Sequence, residues 1–168
     1  MKLHFEPDLD YQLAAIEAVC DLFRGQEACR SEFTVSRSFG GIFQGQDEEQ
    51  ALGIGNRLHL SDDALLANLR AIQLKNGLSP SESLASGDFT VEMETGTGKT
   101  YVYLRTLFEL HQRYGFTKFI IVVPSVAIKE GVYKSLQIMA DHFRGIYANT
   151  PFVYPRSGSC GQSPVATS

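Results

Sequence analysis

One short loop, residues 93–100, constrains the fold of this chain more than any other part of its sequence. It reads Met-Glu-Thr-Gly-Thr-Gly-Lys-Thr and lies between an alternating, β-prone segment, 88–93, and a segment that we predict to be helical from Lys99 to Tyr114. Glycine at positions 96 and 98 permits backbone conformations and close approaches that a Cβ atom would obstruct. Successive N–H groups at the start of a helix then surround an anion, to which the helix dipole adds positive potential. The sequence therefore predicts a phosphate-binding loop.

Two side chains of this loop indicate that the ligand is a nucleoside triphosphate, and we expect it to be ATP. Lys99 is placed to reach the β- and γ-phosphates, and the Thr100 hydroxyl is placed to ligate Mg²⁺. The general pattern G-x-x-x-x-G-K-[ST] has a glycine where this chain has Met93, but the rest of the pattern is kept. The alternative is a chance glycine turn before a helix. The predicted nucleotide-binding residues are Thr95, Gly96, Thr97, Gly98, Lys99 and Thr100.

The segments that follow the loop predict an α/β fold. Residues 119–123 are five consecutive β-prone apolar residues, a pattern typical of a strand buried on both faces of a parallel sheet. Ser125 is placed to cap a further helix that runs to about Phe143. Together with 88–93, this gives the order strand, loop, helix, strand, helix, which indicates a parallel sheet with its ligand site at the carboxyl ends of the strands.

The residues before the loop predict two helices joined by a long connection. The first helix is capped by Asp8 or Asp10 and runs to about Arg24. Residues 25–56 contain scattered glycines and polar residues, which indicates a long surface connection, an insertion or a segment that contacts a partner. The second helix opens at Ser61-Asp62-Asp63, where its two carboxylates suit the positive helix end better than a metal site, and it ends near Gly77.

Composition and charge exclude several classes of protein. The chain is 43% hydrophobic and 20% charged, which is typical of a globular protein. Its net charge of −4, without any Lys/Arg run, argues against a strong independent DNA binder. Cys20, Cys29 and Cys160 form no CxxC pair, so neither a disulfide framework nor a zinc site is indicated. No signal peptide or membrane-spanning apolar run is present, so we expect a soluble cytoplasmic protein without a membrane partner.

With these motifs identified, the chain resembles the restriction (Res) subunit of type III restriction-modification enzymes, which contain a superfamily 2 helicase of the DEAD/DEAH type. The resemblance spans roughly Leu3 to Tyr147 and rests on residues 8–12, 89–103 and 119–132. Residues 93–100 resemble helicase motif I, which commonly tolerates a non-glycine first position, and 119–132 resembles motif Ia. The resemblance to this family implies a helical region over residues 1–87, with a Q-motif-like segment and a long loop. The first part of a RecA-like ATP-binding domain then covers 88–150, and an irregular tail covers 151–168.

The resemblance also implies roles for individual residues and partners. Gln12 would correspond to the adenine-reading glutamine of the Q motif, and Ser125 or the helix amides beside it would reach a phosphate of double-stranded DNA. The complete subunit would couple ATP hydrolysis to movement along DNA, carry an endonuclease and work with a modification (methyltransferase) subunit. Plainer alternatives are that Gln12 is a solvated residue of the first helix and that Ser125 is only a helix cap.

Hydrolysis needs groups that this sequence does not supply. An acidic motif must hold Mg²⁺ and orient the attacking water, and an arginine usually stabilises the transition state. Asp141 is the only acidic residue after Glu130, so we assign no catalytic residue. We therefore expect an N-terminal piece of a Res subunit, ended early and not catalytically competent alone. The alternatives are a nucleotide-binding or partner-binding remnant without turnover and a small-molecule P-loop kinase, whose phosphate-facing arginines would be Arg105 and Arg113.

Overall fold

The computed structural model describes residues 5–28 and 56–147, and these residues form four α-helices. The third helix is central, because the first and the fourth both pack against it, while the second packs against the first. Within the described ranges, no helix combines the length and apolar character needed to cross a membrane. Cys29, Cys160, the predicted tail and most of the predicted long connection lie outside the described residues. The helices are α1 (Asp10–Leu22), α2 (Asp62–Lys75), α3 (Lys99–Tyr114) and α4 (Val126–Ile146).

The predicted α/β fold, a partial RecA-like domain with a parallel sheet, is wrong for the described part of the chain. Neither 88–93 nor 118–123 forms a strand there. Ile120 and Val122, predicted to be buried on both faces of a sheet, are 91% and 88% exposed. A strand exists only where its backbone N–H and C=O groups pair with a neighbouring strand, and among the described residues no such ladder forms. The apolar run 119–123 shows only that its side chains favour a strand, and this preference does not form a strand without a neighbouring strand to pair with.

The helix ends follow from the residues that flank them. Ser61 caps α2, with its Oγ accepting a hydrogen bond from the Ala64 N–H at 3.3 Å, as predicted. Gly115, with φ of 71°, ends α3 in the left-handed conformation that glycine favours. The start of α1 differs from the prediction, because its N-cap is Leu9 and no side chain caps it. Asp10 instead lies in the first turn, where its charge suits the helix dipole.

Two apolar clusters hold α3 on opposite sides. Each fully buried large apolar side chain contributes roughly 1.5–3 kcal/mol relative to its exposed state, so together these residues fix α3 firmly. Since α3 begins at Lys99, within the loop 93–100, the clusters also fix the position of that loop. The α3–α4 cluster contains Tyr101, Leu104, Phe108, Met139, Phe143 and Tyr147, and the α1–α3 cluster contains Ile16, Cys20, Val102, Leu110 and Phe116.

Candidate nucleotide-binding site

The loop 93–100 has the backbone geometry that an anion site requires. Gly96 and Gly98 have φ of 84° and 83°, a region that side-chain-bearing residues rarely adopt. Gly98 is also the N-cap of α3, and no side chain caps that helix end. Among the described residues, no hydrogen bond engages the backbone N–H groups of residues 96–100. The loop therefore presents consecutive unpaired donors at the positive end of a sixteen-residue helix.

Two loop side chains converge on one carbonyl oxygen. Lys99 Nζ donates a hydrogen bond to the Glu94 oxygen at 2.5 Å, and Thr97 Oγ1 donates to the same atom at 2.7 Å. The Lys99 side chain remains exposed. A phosphate oxygen would offer its ammonium a charge-assisted bond, which is stronger than a bond to a neutral carbonyl. Lys99 can thus exchange its loop partner for an anionic ligand.

Thr100 lies in the first turn of α3 and is partly buried. Burial raises the pKa of Tyr103, and a hydrogen bond with the Thr100 hydroxyl partly offsets that rise. No cluster of three or more His, Cys, Asp or Glu side chains suitable for a metal occurs in the described part of the chain. The residues fit a Mg²⁺ that is held mainly by nucleotide phosphates and water, with the Thr100 hydroxyl as one ligand.

Gln12 is buried against the loop. Its side chain is 6% exposed, and its Nε2 donates to the Thr97 carbonyl oxygen at 2.9 Å across 85 positions of sequence. A Cβ atom built on Gly98 would lie only 2.6 Å from the same nitrogen. The alternative that Gln12 is a solvated residue of the first helix is therefore wrong. The structure brings Gln12 and the phosphate loop together, whereas its contact with adenine stays a prediction.

Ser125 caps α4, as the sequence predicts. Its Oγ accepts a hydrogen bond from the Ile128 N–H at 3.3 Å. The buried residues of α4, Met139 and Phe143, lie in the second half of the helix, and the first turn is exposed, with Val126 74% exposed. The predicted DNA contact of Ser125 stays a prediction.

The two arginines that follow the loop are occupied by other contacts. Arg113 donates to both carboxylate oxygens of Glu17, at 2.8 and 2.5 Å, and to Glu109 at 3.0 Å. Arg105 is buried and hydrogen-bonds to one carbonyl and two tyrosine hydroxyls. Both guanidinium groups therefore join helices to their neighbours, which disfavours the kinase alternative. The four-residue spacing of Glu109 and Arg113 on α3 was a sequence signal for their ion pair, whereas the contacts of Arg105 with Pro7 and Tyr147 had none.

A groove of about 1490 Å³ runs beside the loop. One wall is the face of α1 that carries Tyr11 and Val19, another includes Ile72 of α2, and residues 87–97 complete it. The Tyr11 ring is 50% exposed and immediately precedes Gln12. Tyr11 thus gives the groove an exposed aromatic face, whereas buried Gln12 is not among the residues that line it. The sequence signal for Tyr11 was its place in residues 8–12, one of the segments that carry the family resemblance.

Comparison with known proteins matches this chain to one family along most of its length. The family model described as Type III restriction enzyme, res subunit, matches residues 8–149. The EcoPI Res subunit of Escherichia phage P1 is 31% identical over 148 residues, covering 85% of this chain and 14% of that protein. The EcoP15I Res subunit of Escherichia coli is 32% identical over 147 residues, 84% of this chain and 14% of that protein. The StyLTI Res subunit of Salmonella typhimurium is 55% identical over 62 residues, 36% of this chain and 6% of that protein. The chain thus spans about a seventh of the length of the first two relatives.

Proposed function

This chain belongs to the type III restriction enzyme Res subunit family, and from that premise we propose that it binds ATP through the loop 93–100. The observation that carries the proposal is the loop geometry. Gly96 and Gly98 adopt positive φ, and the N–H groups that follow have no acceptor among the described residues. These donors, directly before α3, suit a polyphosphate. The predicted contacts are made by Thr95, Gly96, Thr97, Gly98, Lys99 and Thr100.

Lys99 supplies the mobile positive charge of the proposed site. On binding, its ammonium leaves the Glu94 carbonyl and bonds the β- and γ-phosphates. A hydrogen bond to a charged group contributes about 1.5–3 kcal/mol, so loss of the ammonium weakens ATP binding about 10- to 150-fold. Thr97 keeps its bond to Glu94 and so preserves the shape of the loop.

Mg²⁺ is the expected cofactor of this site. The Thr100 hydroxyl would hold it together with phosphate oxygens, and the ion would neutralise phosphate charge. Thr100 lies in the first turn of α3, whose position is fixed by its packing against α1 and α4. Its role is to place one neutral oxygen ligand at a defined point beside the phosphates.

Gln12 is proposed to select adenine. Its amide has two N–H donors and one carbonyl acceptor, and the bond to Thr97 uses one donor. The second N–H and the carbonyl oxygen form the donor–acceptor pair that suits the adenine N7 and N6 edge. Since Gln12 also contacts the loop, the base and phosphate ends of the proposed site share one hydrogen-bond system.

The larger role proposed for this chain is in a restriction-modification system. Family membership supports double-stranded DNA and a modification subunit as partners, and we propose ATP-dependent movement along DNA and DNA cleavage for a complete subunit of this family. For this chain we propose nucleotide binding without turnover, because its sequence has no acidic motif after the loop that would orient an attacking water. Ser125 is the proposed DNA contact, since it lies at the exposed N-terminal end of α4.

A titration with a fluorescent ATP analogue and Mg²⁺ tests the proposal, beside a phosphate-release assay with and without duplex DNA. We expect saturable binding that Lys99→Ala weakens and no phosphate release. Lys75→Ala is the matched control, because Lys75 is an exposed lysine at the end of α2. An equal loss of affinity for the ATP analogue in Lys99→Ala and Lys75→Ala would contradict a specific role for Lys99. DNA-stimulated phosphate release would show instead that the chain is a complete ATPase.

A further inference from the structure

A buried arginine joins three parts of the chain at the base of the proposed site. Arg105 lies on α3 and is 8% exposed. Its NH1 group donates to the Pro7 carbonyl and to the Tyr101 hydroxyl, the latter at 3.3 Å, and its Nε donates to the Tyr147 hydroxyl at 3.3 Å. Pro7 precedes α1, and Tyr147 directly follows α4. One side chain therefore fixes α3 to the start of α1 and to the end of α4.

The charge of Arg105 is compensated indirectly. No ion pair joins it to a carboxylate in the part of the chain that the structure describes. The Tyr147 hydroxyl instead donates to Glu109, which also accepts from Arg113. Burial of a cation is costly unless its geometry is well satisfied, so an apolar residue would be the simpler choice for stability alone. The use of a buried arginine here indicates that the placement of α3 relative to the start of α1 and the end of α4 matters.

The position concerned is that of Gln12 relative to Lys99. Gln12 lies in the first turn of α1, a few residues after Pro7, and Lys99 lies six residues before Arg105 on α3. Six helical residues span about 9 Å, so Arg105 lies close below the loop. Two separate bonds thus hold the chain around the start of α1, the Gln12–Thr97 bond to the loop and the Arg105–Pro7 bond to α3.

We propose that Arg105 is a positioning residue that sets the place of Gln12 beside the phosphate loop and so makes binding at the loop selective for adenine nucleotides. This inference rests on the proposed nucleotide-binding function. Arg105 itself touches neither base nor phosphate. Its removal leaves the loop donors in place but releases the start of α1, so that Gln12 no longer meets the base while the phosphates are bound.

The test compares the affinity for Mg-ATP with the affinity for Mg-tripolyphosphate, which lacks the base. Loss of folded protein lowers both affinities equally, so their ratio separates positioning from stability. In the unmodified chain the two adenine hydrogen bonds make ATP about 5- to 150-fold tighter than tripolyphosphate. Arg105→Met is expected to bring this ratio to within about twofold of one, as removal of those two bonds implies. Arg105→Lys keeps a donor for the Pro7 carbonyl and is expected to restore part of the ratio.

Two further variants sharpen the comparison. Tyr147→Phe keeps the ring that stacks on Phe108 at 5.1 Å but removes one acceptor of Arg105, so it is expected to lower the ratio less than Arg105→Met. Arg144→Met removes an exposed arginine paired only with exposed Asp141 and is expected to leave the ratio unchanged.

Each remaining outcome is decisive. An unchanged ratio in Arg105→Met overturns this inference and leaves the proposed function standing. Equal affinity of the unmodified chain for ATP and tripolyphosphate overturns the adenine role of Gln12 and this inference with it. Binding of neither ligand by the folded chain overturns the proposed function itself, and therefore also the inference.

Discussion

Replacing Gly98 by alanine tests the contact between α1 and the phosphate loop, because this glycine meets Gln12 directly. The Cβ of Gly98→Ala would lie 2.6 Å from Gln12 Nε2, well inside van der Waals contact. The amide must therefore move and give up its bond to the Thr97 carbonyl. Gly96 is a matched control, since its φ of 84° is nearly the same and nothing lies within 4 Å of its Cβ position.

The two substitutions differ by one hydrogen bond. A Cβ in the left-handed region costs roughly 1–2 kcal/mol, which is the whole expected effect of Gly96→Ala. Loss of the Gln12–Thr97 bond adds about 0.5–1.5 kcal/mol, so Gly98→Ala is expected to cost about 1.5–3.5 kcal/mol. In a Gln12→Ala background the additional cost disappears, and the two glycine substitutions become equivalent.

Urea unfolding followed by circular dichroism measures these differences as shifts of the midpoint at constant slope. The decisive quantity is the excess cost of Gly98→Ala over Gly96→Ala, with and without Gln12. If the excess is absent in the unmodified background, or persists in Gln12→Ala, the contact between α1 and the loop is not as described. Such a result would remove the structural basis for a shared base and phosphate site.

Three further predictions concern the core and the ion pairs. Phe143→Ala is expected to cost about 3–5 kcal/mol in urea unfolding, because Phe143 is 1% exposed and packs on two aromatic rings, whereas Ile138→Ala at a 44% exposed site should cost far less. Burial raises the pKa of Cys20 to about 12, so its thiol should resist alkylation in the folded chain at mildly alkaline pH and react after unfolding, as read by peptide mass mapping. Hydrogen bonding to Arg113 holds the pKa of Glu17 below its ordinary 4.5, so the pair stabilises the fold above that pH and this stabilisation is lost as the pH falls through the lower folded value. Glu17→Gln should therefore flatten the acid side of the stability profile, and an unchanged profile would contradict the pairing.

Features set by neighbouring residues could be predicted from the sequence. The start of α2 at Ser61 and the end of α3 at Gly115 depend on caps and glycines within one helical turn, and both are confirmed. The positive φ of Gly96 and Gly98 likewise follows from the local loop pattern. The end of α4 was placed near Phe143, but the helix continues through Gly145 to Ile146, so this glycine does not end it.

Features that need distant partners could not be predicted in this way. The apolar run 119–123 was interpreted as a buried strand, but pairing depends on a neighbour that periodicity does not reveal, and the described residues contain none. The burial of Gln12 against Thr97 joins residues 85 positions apart, and the Arg105–Pro7 contact joins residues 98 positions apart. The family resemblance identified Gln12 as a candidate, but only the packing of α1 on α3 explains its contact with the loop.

The measurement that tests the central claim most directly is the response of the backbone amide signals to Mg-ATP in an ¹H–¹⁵N correlation spectrum of the labelled chain. If phosphates bind the unpaired N–H groups of the loop, the largest shifts fall on Gly96, Gly98, Lys99 and Thr100, and they saturate with a single affinity. Tripolyphosphate should shift the same backbone signals. Only Mg-ATP, which carries the base, should also shift the signal of the Gln12 side-chain amide. A folded chain whose loop signals stay unmoved at saturating Mg-ATP, or whose shifts fall elsewhere, would contradict the account.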